Sequence, residues 1–361
     1  MGHASSVHMP MLVLARACTT AVFMTYPACL RSLMDAWQMT AARAGTVQGA
    51  FTASFVISLL VVSFLCDRFG EKRVFVWSAI ACAVSAVFFA VSARSFESAL
   101  VCMALLGATQ GASYTPAIIL ASTNAQPHRK ASAVGWILAG MSAGYVISIL
   151  VANVMLAVAD YRLSFAVTSA IAVVGSALSV VATRHAVDPA TPADRVKTHD
   201  DRRWKRQARF LTLGHIGHTW ESFGAWAWIP AFLTASLLSQ HHMTGIEIGL
   251  WTAVTLHVSG FLGSFLSGYA ADRFGAKPVL VGFSVIGTIC SLVIGWLGEL
   301  NVALLLPVVA VYGFAIIGDS AVLSSAMTEV VPPSQLGRAL GVRSIFGLAR
   351  VRCRLLSLAW P

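Results

Sequence analysis

The stretch Asp67-Arg68-Phe69-Gly70-Glu71-Lys72-Arg73 returns 205 residues later as Asp272-Arg273-Phe274-Gly275-Ala276-Lys277-Pro278, each time between two long apolar runs. A short charged turn with glycine at its centre, set twice at equivalent positions, implies that the chain is two copies of one membrane-embedded half. A second landmark keeps phase with the first. Pro127 to Gly135 follows the fourth apolar run and Pro333 to Gly341 follows the tenth, an offset of 206 residues. Unrelated apolar sequence would not hold two landmarks in register.

The runs between these landmarks are those of a membrane protein. Hydrophobic residues make up 57% of the 361 and charged residues 11%, against about 25% charged in soluble domains. Roughly 20 apolar residues cross the hydrocarbon core of a bilayer. Ten spans are expected, over about 10–30, 44–66, 74–93, 97–122, 132–158, 162–183, 210–238, 246–270, 278–298 and 302–328. The fold class is therefore all-α and integral to the membrane. Its parts are an N-terminal bundle over 1–183, a polar linker over 184–209 and a C-terminal bundle over 210–361.

Lysine and arginine set the orientation. With the amino terminus in the cytoplasm, the inner loops hold Arg68, Lys72, Arg73, Arg129, Lys130, eight basic residues from Arg184 to Arg209, Arg273 and Lys277. The opposite loops hold only Arg31, Arg43, Arg94 and Arg162, so positive-inside logic favours this topology in a cytoplasmic (inner) membrane. The net charge of +10 sits where loops face anionic lipid, and it calls for no nucleic-acid partner. The cluster Arg202, Arg203, Lys205 and Arg206 reads as a segment drawn to headgroups. The seven cysteines show no metal-ligand spacing and read as small packing residues. Arg16 interrupts the first apolar run, which argues against a cleaved signal peptide.

Two repeats of membrane spans, a charged central linker, and Asp-Arg-Phe-Gly with basic residues after the second and eighth spans resemble the major facilitator superfamily. The resemblance runs from about residue 9 to 348. It departs at Ser63, where the family's loop motif opens with glycine; the second copy keeps Gly268. Secondary transport of a small-molecule substrate by alternating access is what the resemblance implies, by a monomer in contact with membrane lipid and without a cofactor. It also implies that spans one, four, seven and ten line the substrate path. Where proton-coupled drug exporters of the family carry an arginine in span four, this chain has Met103, which speaks against that scheme.

The repeated loop has a physical purpose of its own. Gly70 and Gly275 permit a tight turn with positive φ. Asp67 and Asp272 can accept hydrogen bonds from a neighbouring helix start and pair with Arg129 or Arg338, forming a cytoplasmic gate. Within the spans, each charge costs roughly 2.5 to 3.5 kcal/mol on insertion scales and so marks function. Arg16, Glu221, His257 and Asp319 are such residues. His215, His218 and Glu221 recur every three positions and share one face of span seven. A carboxylate beside an imidazole can carry a proton with a solute, and the bland alternative is helix bracing. Arg16 is the natural partner of an anionic substrate, or of Glu221 or Asp319 in the empty state. Gln110 and Tyr114 in span four can add hydrogen bonds.

The expected function is secondary transport of a small organic anion, with a proton or another ion as co-substrate. No metal site is expected, since the ligands that would complete His215, His218 and Glu221 are missing. No Gly-x-x-x-x-Gly-Lys-Ser/Thr loop occurs, so direct ATP drive is not expected. The alternatives are a non-transporting sensor or scaffold, an integral-membrane enzyme, and an inactive truncated carrier. The last arises because Arg350, Arg352 and Arg354 crowd the place of span eleven, where charge of that density cannot sit at bilayer depth. Either the segment leaves the membrane early, or the reading frame is lost near Leu348 and the chain is a carrier truncated in its second half; a missing twelfth span favours truncation.

Overall fold

Inside a bilayer no water reaches the backbone, so each apolar run must bond its own peptide groups, and all ten expected runs coincide with helix. The computed structural model describes residues 7–186, 201–240, 245–297, 302–332 and 335–344, and no strand occurs among them. Helices α1 (Met9–Thr20), α2 (Thr25–Ala28) and α3 (Leu30–Ala36) occupy the first run and its continuation. There follow α4 (Ala41–Phe69), α5 (Glu71–Ser92), α6 (Phe96–Thr123), α7 (Lys130–Val158) and α8 (Tyr161–Thr183). The second part holds α9 (Asp201–Gln240), α10 (Gly245–Ala253), a π-helical turn (Val254–Val258), α11 (Ser259–Phe274), α12 (Ala276–Val293) and α13 (Val302–Val330). Residues 335–344 are helical again.

Three features depart from the expected spans. The first run is not one helix but breaks after Thr20, because Pro27 cannot donate to the carbonyl four residues earlier. The backbone groups freed at the break are taken by other helices, Thr19 O by Gln110 Nε2 at 2.7 Å and Met24 N by Ser148 Oγ at 3.1 Å. Second, the basic cluster from Arg202 to Arg206 at the end of the polar linker is helical and continuous with α9, since lysine and arginine are good helix formers. Third, of the ten expected runs, seven helical segments among the described residues are long and apolar enough by composition alone to cross a membrane. Those that fall short are the broken first run, α6 and α9. The cause in α6 is Thr109, Gln110, Ser113, Tyr114 and Thr115; in α9 it is His215, His218 and Glu221.

The chain forms two compact units, Met1–Asn124 with Ala143–Val196, and Ala125–Ser142 with Lys197–Pro361. In the first, α6 packs on α4 and α5, and α8 on α1 and α5. Gly107 brings α6 so close to α4 that a Cβ would strike the backbone of Phe51, as small residues allow in membranes. Phe51, Phe89, Phe165 and Tyr26 fill the buried core. In the second unit α13 is central, with α9, α11 and α12 around it. The start of α7 also belongs there, its Trp136 ring 4.5 Å from that of Phe265. Outer faces are apolar: Ile57, Val61 and Phe64 of α4, and Val281, Val285 and Leu292 of α12, are exposed.

Both repeated loops adopt the same backbone. Gly70 has φ 84° and ψ 150°, and Gly275 has φ 85° and ψ 155°. That region is open to glycine alone, so each loop turns from one helix into the next at a single residue.

Candidate functional site

In the first unit the polar centre is Arg16. It lies four residues before the break in α1, 1% exposed, and its Nη1 donates to Ser113 Oγ at 2.5 Å. The remaining groups close to the guanidinium are Tyr114, Tyr145 and the Cys82 thiol. No carboxylate of the described residues in this unit is its partner. Gln110 is next to this centre but bound elsewhere. Its Nε2 also reaches Cys82 Sγ at 3.3 Å, so it braces α6 against α1 and α5. Arg16, Gln110 and Tyr114 are thus brought into one neighbourhood. A buried guanidinium ringed by hydroxyls can take a carboxylate through its planar fork.

In the second unit α9 and α13 face each other with matching polar side chains. His218 Nδ1 lies 2.6 Å from Asp319 Oδ1, with both side chains nearly buried. Glu221, one turn further along α9, accepts a hydrogen bond from Tyr312 of α13 and lies close to Asp319 and His218. Its other oxygen, Oε1, packs against Gly287 of α12, where a Cβ would stand 3.0 Å away. His215, one turn before His218, is buried with its ring centroid 5.5 Å from that of His218. Four ionisable groups therefore run along one helix interface, with one acid–base pair, His218 and Asp319, in hydrogen-bond reach. Such an array can bind and pass a proton. His257 is buried in the π-helical turn, its ring 6.4 Å from Trp226.

At the loops, Asp272 ends α11 and caps the first turn of α7. Its carboxylate accepts from Ala131 N at 3.0 Å, from Ser132 N at 2.8 Å, and from the Ser132 hydroxyl. Neither Arg129 nor Arg338 forms the ion pair expected with it among the described residues; both are exposed. The reason is geometric: two backbone N–H groups and a hydroxyl at a helix N-terminus already satisfy the carboxylate. In the first copy the Asp67 side chain lies outside the described residues. Arg68 and Arg273 each fold over the neighbouring ring, Phe69 at 5.2 Å and Phe274 at 5.6 Å. Lys72 Nζ caps the end of α8 through the carbonyls of Arg184 at 2.9 Å and Ala186 at 3.3 Å, and Arg73 is exposed. The arginine-rich segment from Arg350 to Arg354 lies outside the described residues.

Sequence reasoning missed Ser113, Tyr312 and Arg343. Arg343 is fully buried in the helix over 335–344, donating from Nη2 to Ser324 Oγ at 3.2 Å. The signal for it was the one used for Arg16, a lone charge inside an apolar run.

Comparison with known proteins gives the same architecture. A crystal structure of the major facilitator transporter FucP in the outward conformation superposes with a TM-score of 0.75 at 14% identity, covering 99% of this chain and 93% of that one. A structure of the E. coli fucose:proton symporter FucP gives 0.70 at 15% identity, covering 98% and 92%. In sequence, the chain is 22% identical to a probable 4-methylmuconolactone transporter of Cupriavidus pinatubonensis, over 88% of this chain and 77% of that protein. It is 24% identical to the cis,cis-muconate transport protein of Acinetobacter baylyi, over 86% and 76%. The family model described as Major Facilitator Superfamily matches residues 11–349, and the chain belongs to that family of membrane transporters.

Proposed function

We propose that the protein is a secondary active carrier that moves a small organic carboxylate across the cytoplasmic membrane by alternating access, as a monomer and together with protons. The observation that carries the anion assignment is Arg16, a buried guanidinium with no carboxylate partner among the described residues of its own unit. A permanent charge at that depth is costly unless function requires it, and a carboxylate is the ligand its fork fits. Relatives named for muconate and 4-methylmuconolactone support the same class of cargo. Proton coupling rests on His218, Asp319 and Glu221, which meet across α9 and α13. Positive-inside charge supports a cytoplasmic amino terminus, and the two repeated loops act as the cytoplasmic gate.

Equilibrium binding of radiolabelled cis,cis-muconate to the detergent-solubilised full chain tests the anion site. Arg16→Gln is expected to weaken binding by about tenfold or more, the loss of a charge-assisted hydrogen-bonded pair of roughly 1.5–3 kcal/mol. Equal binding by the variant and the unaltered protein would remove Arg16 from the site.

A further inference from the structure

The outward face of α9 changes character within one turn. Arg203, Arg206, Phe210 and Leu213 stand three or four residues apart and so share one stripe of the helix. Phe210 and Leu213 are each 62% exposed. Arg203 and Arg206 are exposed as well, and so is Arg209 beside the stripe. Ala208, His215 and Thr219 are buried on the opposite side. An exposed apolar stripe of a membrane helix meets acyl chains, and the point where cations replace it marks the edge of the hydrocarbon. The helix runs for 40 residues, about twice what a bilayer core requires, so its first turns stand outside that core. The guanidinium of Arg206 lies over the Phe210 ring at 5.9 Å and joins the two zones. At 1.5 Å per residue, the stretch from Arg203 to Arg209 covers about 9 Å along the axis, close to the depth of a headgroup layer. No acidic residue occurs between Arg202 and Trp220 to neutralise these cations from within the helix.

We propose that Arg203, Arg206 and Arg209 form a binding site for the phosphate of an anionic phospholipid, whose acyl chains lie along Phe210 and Leu213. Three guanidiniums within one headgroup layer offer paired donor edges to phosphate oxygens. Each cation at the surface of an anionic leaflet adds its own attraction. A soluble phosphate ester would meet the same guanidiniums but leave the apolar stripe unused, which makes a lipid the better fit. The bound lipid anchors the end of the helix that carries His215, His218 and Glu221. The site stands apart from the cargo, so it holds whether or not the solute is a carboxylate.

The test is equilibrium binding of radiolabelled phosphatidylglycerol and phosphatidylcholine to the purified full chain in dodecyl maltoside micelles, with melting temperatures measured alongside. Phosphatidylglycerol is expected to bind about tenfold or more tightly than phosphatidylcholine. The triple variant Arg203→Gln/Arg206→Gln/Arg209→Gln is expected to lose that preference. Removal of three other exposed cations, in Arg31→Gln/Arg94→Gln/Lys277→Gln, is expected to keep it. Equal binding of the two lipids, a preference that survives in the α9 variant, or one that falls equally in both variants overturns the site. Soluble glycerophosphoglycerol is expected to compete weakly, and competition as strong as that of the lipid overturns the lipid as occupant. If the triple variant does not fold, Arg206→Gln and Arg209→Gln decide singly. Each is then expected to lower the preference about threefold, and no loss in either overturns the site. Because no solute enters the assay, its outcome is separate from that of the transport reading.

Discussion

Arg16 and the His218–Asp319 pair show how far a single charged residue can be read. Each was legible in the sequence because a charge inside a span is costly wherever it points. Their partners were not. A hydroxyl in a membrane helix ordinarily bonds its own turn, as Thr109 does to Leu105 O and Leu106 O, so nothing in the sequence distinguished Ser113 or Tyr312. Arg343 carried the same signal as Arg16 but lay close to the arginine-rich segment that dominated the reading of that region. At this scale the account predicts that Glu221→Gln abolishes proton-linked uptake while membrane insertion stays intact. Uptake that remains equally pH-dependent in the variant would remove Glu221 from the relay. Gly287→Ala is expected to act on the same group, since a Cβ there would stand 3.0 Å from Glu221 Oε1; its effect is read as lowered proton-linked uptake.

Among the elements, the repeated loops were legible to the backbone. A glycine between a charged helix end and a new apolar run announces a turn with positive φ, and φ is 84° at Gly70 and 85° at Gly275. Gly275→Ala is expected to cost about 1–3 kcal/mol of local strain, seen as a lower melting temperature in detergent. Asp272→Ala removes the cap of α7 and leaves two N–H groups and the Ser132 hydroxyl to find other partners. A loss of about 1–2 kcal/mol is expected, and an unchanged melting temperature would show that the cap is dispensable. Of the two partners expected for Asp272, it takes the helix start, through Ala131 N and Ser132 N, and not the arginine, because these N–H groups and the Ser132 hydroxyl already satisfy the carboxylate. The break in α1 was only half legible. Pro27 marks it, but the Gln110 and Ser148 hydrogen bonds that satisfy it come from distant parts of the chain.

For the whole molecule, repeat and hydropathy together specified a two-part helical membrane protein ahead of any tertiary detail, and the family resemblance of the repeated loops implied a transporter. The least apolar helices are the broken first run, α6 and α9, each expected as a span but shorter or more polar than the other seven. They are also the helices that carry Arg16, Gln110, Tyr114, His218 and Glu221. Polar groups lower the mean hydropathy of these helices, yet the same groups, costly inside a span, are what marked them as functional in the sequence. Orientation can be tested apart from transport. A cysteine in place of Lys277, in a chain without other cysteines, is expected to resist an impermeant thiol reagent in intact cells and to react in inverted vesicles. The reverse pattern would place the repeated loops outside.

The central claim, proton-linked carriage of an organic carboxylate, is tested most directly by uptake of radiolabelled cis,cis-muconate into proteoliposomes holding the purified full chain, with and without an imposed inward proton gradient. The account predicts accumulation above the external concentration when the gradient is present, and its collapse when a protonophore is added. Equilibration alone, at the same level with and without the gradient, would contradict it.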